Sequence, residues 1–549
     1  MAAQQNGSSF VSEQRNLGQL SRNNTKNAAR AKWLYRVGWC IPILLVVMHY
    51  LLVDRAQPTW QDEVFAISTG WSIVHEAPAN LSVLGFYPNT ISPERFYGPV
   101  SFQTEAALLR AFGFAPYPWR AACTLFGDTL IFFVALILLR TAGAGRWMQL
   151  IGTTIVTAAA LNYCGLGRWD PVTTGCLMAG FALLLSTSES SRPAQLLRGA
   201  VAGILFAFAI GSTPRATLVL FSIGLGVIAA IFFDKAARSR LVPASAVAVF
   251  STVAMQWILL APLGMTPWSW FHFVQQASHG DKINSSPLLG GSWNLGVSSH
   301  KAVVILIFLL LAIALIAVFA RLRDGQSTLQ AVKIALTVAS LVNFAITMLT
   351  VSHALGTAIF WFPLLAIMCL SWIDWKALQI PWLKYSIAVL LCVELLIPIV
   401  VEAQRGTAAF QLMRSGKSRT LAALIHASVA PGSVVIGPVG GYFFQVEQDG
   451  SRYLYIEEQT TPGLSSNTDS PAYRRHILDL AACSRPAFVL WPRTGPQATL
   501  PTEIVQYDKV ELNQSQSSDP ISIYRLNRPQ SCPAFGGEAQ EIQPFPTLR

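Results

Sequence analysis

Charged residues are scarce in this chain: they make up 12% of its 549 residues, whereas soluble domains carry about twice that fraction. Hydrophobic residues make up 52%. Apolar runs close to the roughly 17 to 25 residues that cross a bilayer as a helix recur between Val37 and Val401. The composition therefore excludes an ordinary soluble enzyme and predicts an α-helical polytopic membrane protein.

Motifs of soluble catalytic sites are absent as well. There is no Walker lysine loop, no HExxH pair and no GxSxG elbow, and the eight cysteines show no metal-ligand spacing. Six cysteines lie in or beside apolar runs, where cysteine acts as a small hydrophobe. Cys483 and Cys532 lie in the polar tail, and the sequence leaves open whether they form the disulfide that an extracytoplasmic tail would permit.

The net charge of +11 does not indicate a nucleic-acid partner, because the basic residues stand in small groups at the ends of apolar runs. This is the positive-inside pattern of membrane proteins, whose partner is the lipid bilayer. Basic residues also dominate the segment before the first run, which predicts a cytoplasmic N-terminus. They are Arg15, Arg22, Lys26, Arg30, Lys32 and Arg36, against the single acid Glu13.

Alternation of apolar runs and basic turns predicts about eleven spans and three regions. Residues 1–36 form a cytoplasmic tail, and residues 37–401 form a transmembrane module with long outside loops at 54–118 and 264–300. An odd number of spans places residues 402–549 outside the membrane. The low charge, the Ala-rich spans and the uncleaved cytoplasmic start favour a bacterial inner membrane with a periplasmic tail, and an endoplasmic reticulum membrane stays open as the alternative.

The tail alternates helical and apolar extended segments, which predicts a small α/β domain. Its predicted helices are Thr420–Ala427 and Tyr473–Ala482, and its predicted strands are Ser433–Ile436 and Ala487–Trp491. In the first outside loop, Gly98-Pro99 predicts a turn that leads into a helix, because proline suits the first helical position. Aromatic residues such as Tyr97 predict that this helix lies against the membrane surface.

Charged residues at the outer edge of apolar spans are the candidate site. Such placement costs several kcal/mol unless the charges are paired or face water. They are Asp62, Glu63, Arg120, Arg168, Asp170 and Arg215. These residues form four groups, which are Asp62 with Glu63, Arg168 with Asp170, Arg120, and Arg215. A structural ion pair or a membrane anchor explains any one group alone, but all four groups on one face favour a catalytic cleft.

These residues and their spacing resemble the C-type membrane glycosyltransferase superfamily, which includes protein O-mannosyltransferases and lipid A aminoarabinose transferases. The resemblance covers about residues 33–240 with motifs and extends more loosely to Val401. In this family the aromatic turn often has two prolines after Lys or His, whereas this chain has Gly98-Pro99. The matching segments are Asp62-Glu63, Phe96-Tyr97-Gly98-Pro99, Phe112-Gly113, Arg120, Arg168-Trp169-Asp170, Pro214-Arg215-Ala216-Thr217 and Phe360-Trp361-Phe362-Pro363.

The resemblance implies an inverting glycosyltransferase that moves a sugar from a polyprenyl-phosphate carrier to an acceptor hydroxyl at the outer face of the membrane. Asp62 would be the base, and Glu63 would orient Asp62 or the sugar. Fixed cations must stabilise the negative charge of the leaving lipid phosphate. The predicted substrate-binding residues are Arg168, Asp170, Arg215, Arg120, Tyr97 and Lys301.

Several alternatives stay open at this stage. No cofactor is certain, although paired acids can hold a divalent metal ion, and the acceptor is a glycan, a glycolipid or a protein. A transporter or flippase would use buried charges as a substrate path, but it predicts mid-membrane charges and an internal repeat. A non-catalytic protein that binds a glycan through its outside domain would not need Asp62.

Overall fold

The structure is a computed structural model that describes sixteen parts of the chain. These are residues 30–55, 61–74, 83–84, 97–163, 167–186, 191–279, 331–350, 355–373, 381–415, 417–437, 442–447, 450–456, 471–493, 498–512, 521–529 and 532.

Helices make up most of the described chain. In order, the α-helices are α1 Cys40–Met48, α2 Gln61–Val74, α3 Pro99–Phe112, α4 Pro116–Arg120, α5 Gly127–Thr141, α6 Arg146–Tyr163, α7 Asp170–Leu185, α8 Arg192–Ile210, α9 Ala216–Phe233, α10 Lys235–Leu260, α11 Pro267–His279, α12 Ala331–Thr350, α13 Phe362–Ser371, α14 Pro381–Arg414, α15 Lys417–Ser428, α16 Phe443–Glu447, α17 Pro471–Ser484 and α18 Thr502–Val505. Two π-helical segments, His49–Asp54 and Ala121–Phe126, continue α1 and precede α5, and 3₁₀ turns cover Ala261–Leu263 and Leu355–Phe360.

Six of the described helices are long and apolar enough to cross a membrane, and four shorter helices are also apolar. The six are Arg30–Asp54, Pro116–Thr141, Arg192–Ile210, Ala216–Phe233, Ala237–Leu263 and Lys384–Arg414. This confirms a polytopic helical membrane protein. The count of eleven stays a prediction, because the segment predicted as the eighth span, residues 302–320, lies outside the described residues.

The loop of residues 54–118, predicted as the first outside loop, carries the two helices that position the candidate site. Helix α3 begins at the predicted turn: Gly98 has a φ of +102°, which only glycine adopts without strain, and Pro99 takes the first helical position. Helix α2 starts at Gln61, so the Asp62-Glu63 pair lies in its first turn. The two helices pack along each other, with Gly70 of α2 against the side chain of Glu105 of α3.

The tail forms the predicted α/β domain. Its strands are β2 Val434–Gly437, β3 Arg452–Ile456, β4 Ala487–Pro492, β5 Lys509–Glu511 and β6 Ile521–Leu526. Strand β2 pairs in parallel with β3 and β4, while β6 pairs antiparallel with β4 and β5. Helix α14 runs to Arg414, which is thirteen residues past the predicted end of the last span at Val401, since no proline lies between these two residues. It thereby extends the last membrane helix toward the domain.

The first outside loop is built into this domain, which the sequence did not predict. Strand β1 Val83–Leu84 of the loop pairs in parallel with β3 and gives the sheet order β1-β3-β2-β4-β6-β5. Phe114, which follows α3, packs on Phe443 and Phe444 of the domain, with ring centroids 5.6 Å and 5.1 Å apart. The domain therefore lies over the end of the bundle that carries Asp62 and Glu63.

The two tail cysteines, whose pairing the sequence left open, form a disulfide. The Cα atoms of Cys483 and Cys532 lie 5.7 Å apart. The bond ties the end of α17 to the chain beyond β6.

Candidate active site

A buried ion pair joins the acid pair to the start of the second span. The Arg120 guanidinium donates from Nε to Glu63 Oε1 at 2.6 Å and from Nη2 to Glu63 Oε2 at 2.8 Å. Both side chains are buried, and Arg120 Nη1 also donates to the carbonyl oxygen of Asp54. A two-point bond of this kind fixes both the position and the orientation of the carboxylate.

The structure describes contacts of Arg120 that the sequence did not predict. Its guanidinium bonds to Glu63 and to the end of the first span, and its role in substrate binding stays a prediction. With both carboxylate oxygens bonded to one guanidinium, Glu63 is suited to hold the acid helix in place. Asp62 remains the member of the pair predicted to act as the base, and the structure describes its backbone position alone, in the first turn of α2, where helix geometry favours negative charge.

A glycine turn packs directly against Glu63. Gly167 has a φ of +68°, and a Cβ atom at this position would lie 2.6 Å from Glu63 Cβ. Trp119 Nε1 donates to the carbonyl oxygen of Gly167 at 2.8 Å, and the Trp119 ring stacks on Trp169 at 5.2 Å. The turn that carries Arg168 and Asp170 is therefore fixed beside the acid pair.

The same turn is joined to the hairpin that carries Arg215. Trp169 Nε1 donates to Ser212 Oγ at 3.1 Å. The backbone N–H of Val100 donates to the carbonyl oxygen of Gly211 at 2.9 Å, and Gly98 packs on that same carbonyl. A side chain at residue 98 would collide with it. Arg215 is exposed and immediately precedes α9. Four segments that are far apart in sequence thus meet at one end of the bundle.

Arg168 and Asp170 form an ion pair. The Arg168 Nε and Asp170 Oδ2 atoms lie 2.7 Å apart, and the two side chains are 26% and 14% exposed. A partly exposed guanidinium that is oriented by a carboxylate can bind a phosphate or a sugar hydroxyl from its open side. Arg168 is thus held in place and still faces solvent.

Tyr97 belongs to an aromatic wall between α2 and α3. Its ring lies 5.6 Å from Phe65 and 6.3 Å from Phe102, and Phe65 and Phe102 are 5.7 Å apart, all in edge-on arrangements. Tyr97 is half-buried. It directly precedes the Gly98-Pro99 turn that touches the Arg215 hairpin.

Glu105 is a buried acid near the site that sequence reasoning missed. Only 1% of the residue is exposed, and its Oε2 atom has no hydrogen-bond partner among the described residues. Burial raises the pKa of Glu105 well above its usual range, and the negative charge of Glu63 raises it further. The signal was available, because Glu105 lies three residues after Phe102 and four before Leu109, on the apolar stripe of an amphipathic helix.

We expect Glu105→Gln to remove a pH-dependent cost from the fold. A carboxyl whose pKa is raised on folding binds its proton more tightly in the native state, so its contribution to stability is full below the unfolded value of about 4.3 and is lost as pH rises through the folded pKa. Melting temperatures in detergent from pH 5 to pH 9 should therefore show the variant gaining on wild type as pH rises. A constant difference across that range would contradict the assignment of Glu105 as a buried, protonated acid.

Two predicted features are not tested by these contacts. Lys301, a predicted substrate-binding residue, lies outside the described residues. Within the described ranges, no three His, Cys, Asp or Glu side chains are arranged to hold a metal ion.

The chain has the architecture of a polytopic membrane protein in which loop helices and a small α/β domain cover one end of a helical bundle. Two solved structures share it: ArnT from Cupriavidus metallidurans bound to undecaprenyl phosphate, with a TM-score of 0.57, and the same ArnT in the apo state, with a TM-score of 0.54. Each is 13% identical and covers 91% of this chain, which spans 99% and 100% of the two ArnT chains.

The resemblance stated from the motifs is therefore confirmed at the level of the fold. No family model and no curated protein matches the sequence. At 13% identity the likeness carries the arrangement of helices and not the identity of the substrates.

Proposed function

We propose that this protein is an inverting glycosyltransferase that moves a sugar from a polyprenyl-phosphate carrier to an acceptor hydroxyl at the outer face of the membrane. One observation carries the proposal. The acid helix, the Arg168-Asp170 turn and the Arg215 hairpin are joined by hydrogen bonds and close packing at one end of the bundle. A carboxylate base and cations for a leaving phosphate are the groups that this transfer needs.

The proposed reaction uses these residues in one displacement. Asp62 accepts the proton of the acceptor hydroxyl while the acceptor oxygen bonds to the anomeric carbon of the sugar. The bond between that carbon and the phosphate oxygen breaks, and its electron pair leaves on the polyprenyl phosphate. Attack from the face opposite the phosphate inverts the anomeric configuration. Arg215 and Arg168 stabilise the developing phosphate charge.

Support for the carrier comes from the ArnT structure, which is bound to undecaprenyl phosphate. A polyprenyl chain also suits this fold, because the candidate site lies at the end of membrane-spanning helices where a lipid tail can remain in the bilayer. The phosphate head would then meet the arginines at the outer edge. The acceptor is a glycan, a glycolipid or a protein, and the present geometry favours none of them.

The outer-face location is supported by the tail. A disulfide forms and persists in oxidising compartments, and the domain that contains Cys483–Cys532 covers the candidate site. The basic turns at the opposite end of the bundle, such as the one with Arg140 and Arg146, follow the positive-inside rule. Both features support a bacterial inner-membrane protein with its site in the periplasm and its N-terminus in the cytoplasm.

Purified protein tested against a panel of polyprenyl-phosphate sugars, with hydroxyl acceptors of the three classes, would decide the function. Sugar transfer with inversion of the anomeric centre supports the proposal. The transporter alternative is tested on the same preparation in vesicles, by the movement of a lipid-linked sugar between leaflets. Movement without transfer from any carrier would overturn the glycosyltransferase assignment.

Arg215→Ala is expected to raise the KM for the lipid-phosphate donor by about tenfold or more. Hydrogen bonds to charged groups contribute about 1.5–3 kcal/mol, and 1.4 kcal/mol corresponds to a factor of ten. Initial rates across donor concentrations measure the change. The matched control is Arg146→Ala, which removes an exposed arginine at the opposite end of the bundle. An equal effect of both substitutions would argue against a phosphate contact at Arg215.

A further inference from the structure

A second buried polar cluster lies next to the site and is not used by the proposed chemistry. His49 of the first span lies between two acids: its Nδ1 is 2.7 Å from Glu402 Oε2 of α14, and its Nε2 is 3.4 Å from Asp54 Oδ1. The three side chains are 10%, 5% and 2% exposed, respectively. The cluster therefore joins the first described span to the last one inside the bundle.

The cluster is connected to the acid pair through the backbone. Residues His49–Asp54 form a π-helical turn, a conformation that is rare and is often found at functional sites. The carbonyl oxygen of Asp54, at the end of this turn, accepts a hydrogen bond from Arg120, and Arg120 holds Glu63. His49 contacts the Asp54 side chain and so helps to fix the position of the Asp54 carbonyl, which in turn helps to orient Arg120.

Glu402 is itself held by groups on two helices. Arg405, one turn further along α14, lies 3.2 Å from Glu402 Oε1 and donates to the carbonyl oxygen of Leu161 at 3.3 Å. Asn162 donates to the carbonyl oxygen of Pro398 in α14 at 3.4 Å. Asp128 of the second span, 1% exposed, is close enough to His49 and both of its acid partners to interact with them electrostatically. The outer end of α14 is thus tied to α6 and to the first span.

Helix α14 leads directly into the domain that covers the site. It ends at Arg414, and α15 begins at Lys417. Ile425 and Val429 of α15 belong to the same buried cluster as Val64 and Phe65 of the acid helix. Movement of the domain would therefore be transmitted to α2 by two routes. One route is this buried cluster, and the other runs through α14, Glu402 and His49.

From this continuity we infer that His49 and Glu402 are positioning residues, which couple the last membrane helix to the catalytic acid pair by fixing the π-helical end of the first span. The inference rests on the proposed function. Packing alone does not require such a pair, because replacing buried ion pairs with apolar residues of similar volume is often neutral or stabilising. Buried charges within membrane spans are expensive and usually have a functional reason.

The test compares Glu402→Leu with Glu402→Gln. Leucine removes the Glu402 carboxylate that lies against His49 Nδ1, whereas glutamine keeps an acceptor oxygen at that position. We expect Glu402→Leu to lower kcat about tenfold while the donor KM stays within twofold, and Glu402→Gln to recover most of the kcat. Thr252→Val is the control: it removes another buried hydrogen bond between spans, from Thr252 Oγ1 to the carbonyl oxygen of Gly203, and it should leave both parameters unchanged.

A second measurement does not depend on turnover. Hydrogen–deuterium exchange of peptides covering residues 61–74 should be faster in Glu402→Leu than in wild type, Glu402→Gln or Thr252→Val. Unchanged exchange together with unchanged kcat overturns the coupling. Equal loss in the leucine and glutamine variants also overturns it. If wild type transfers no sugar but exchange still rises in Glu402→Leu, the coupling stands and the proposed function fails.

Discussion

Asp62→Asn is expected to lower kcat for sugar transfer by about 10²–10⁴-fold, the usual contribution of a positioned general base. The amide keeps the size of the side chain but cannot accept the acceptor proton. Asp62 lies in the first turn of α2, and the next residue, Glu63, is bonded to Arg120. The start of the helix should therefore stay in place in the variant. Transfer from a radiolabelled polyprenyl-phosphate sugar in detergent measures the effect.

Glu63→Gln separates the roles of the two neighbouring acids. Glu63 balances a buried guanidinium, so its amide variant should lose stability because Arg120 is left without its counter-charge. Asp62→Asn should instead keep the wild-type melting temperature. Full activity in Asp62→Asn would remove the base assignment, and a matching drop in melting temperature for both variants would show that the two acids serve the fold alike.

Local signals were enough to predict much of the fold. Gly98-Pro99 predicted the start of α3 because the turn and the proline act on neighbouring residues. In the tail, the predicted strand Ala487–Trp491 differs by one residue from β4, and the predicted helix Tyr473–Ala482 lies inside α17. Apolar runs identified the spans, since each run must satisfy its own backbone within the bilayer.

The contacts that build the site could not be predicted in this way, because they join distant parts of the chain. Glu63 and Arg120 are 57 residues apart, and His49 and Glu402 are 353 residues apart. Periodicity identifies which face of a helix is buried but not which charge on another helix meets it. The strand β1 in the first loop is likewise only two residues long, and its pairing with β3 depends on where the domain lies.

Arg120 shows how contacts that the sequence could not predict change the interpretation of a residue. From sequence, an arginine at the outer edge of a span fits a phosphate ligand as well as a structural partner. In the structure its guanidinium lies on Glu63 and on the Asp54 carbonyl, while Arg168 is partly exposed and Arg215 is exposed. The structure thereby distinguishes Arg120, which is bonded to Glu63, from Arg168 and Arg215, which stay the predicted phosphate ligands.

Arg120→Met is therefore expected to have the largest effect on stability and to abolish measurable transfer. Removing one partner of a buried ion pair costs about 3–5 kcal/mol, because the other charge is left without compensation. Glu63 is fully buried, and both of its oxygens bond to the guanidinium that methionine removes. Thermal melting in detergent and initial rates measure the two effects, with Arg146→Met as the exposed control.

The double variant Glu63→Gln/Arg120→Met distinguishes a positioning role from a purely structural one. Removing both charges takes away the uncompensated carboxylate, so most of the lost stability should return. Activity should not return with it, because the acid helix then has no guanidinium to fix it against the end of the first span. Recovery of both stability and transfer would show that the pair is dispensable for catalysis.

Lysine at position 120 should give partial activity, because it keeps the charge but cannot bond both carboxylate oxygens and the Asp54 carbonyl in one planar arrangement.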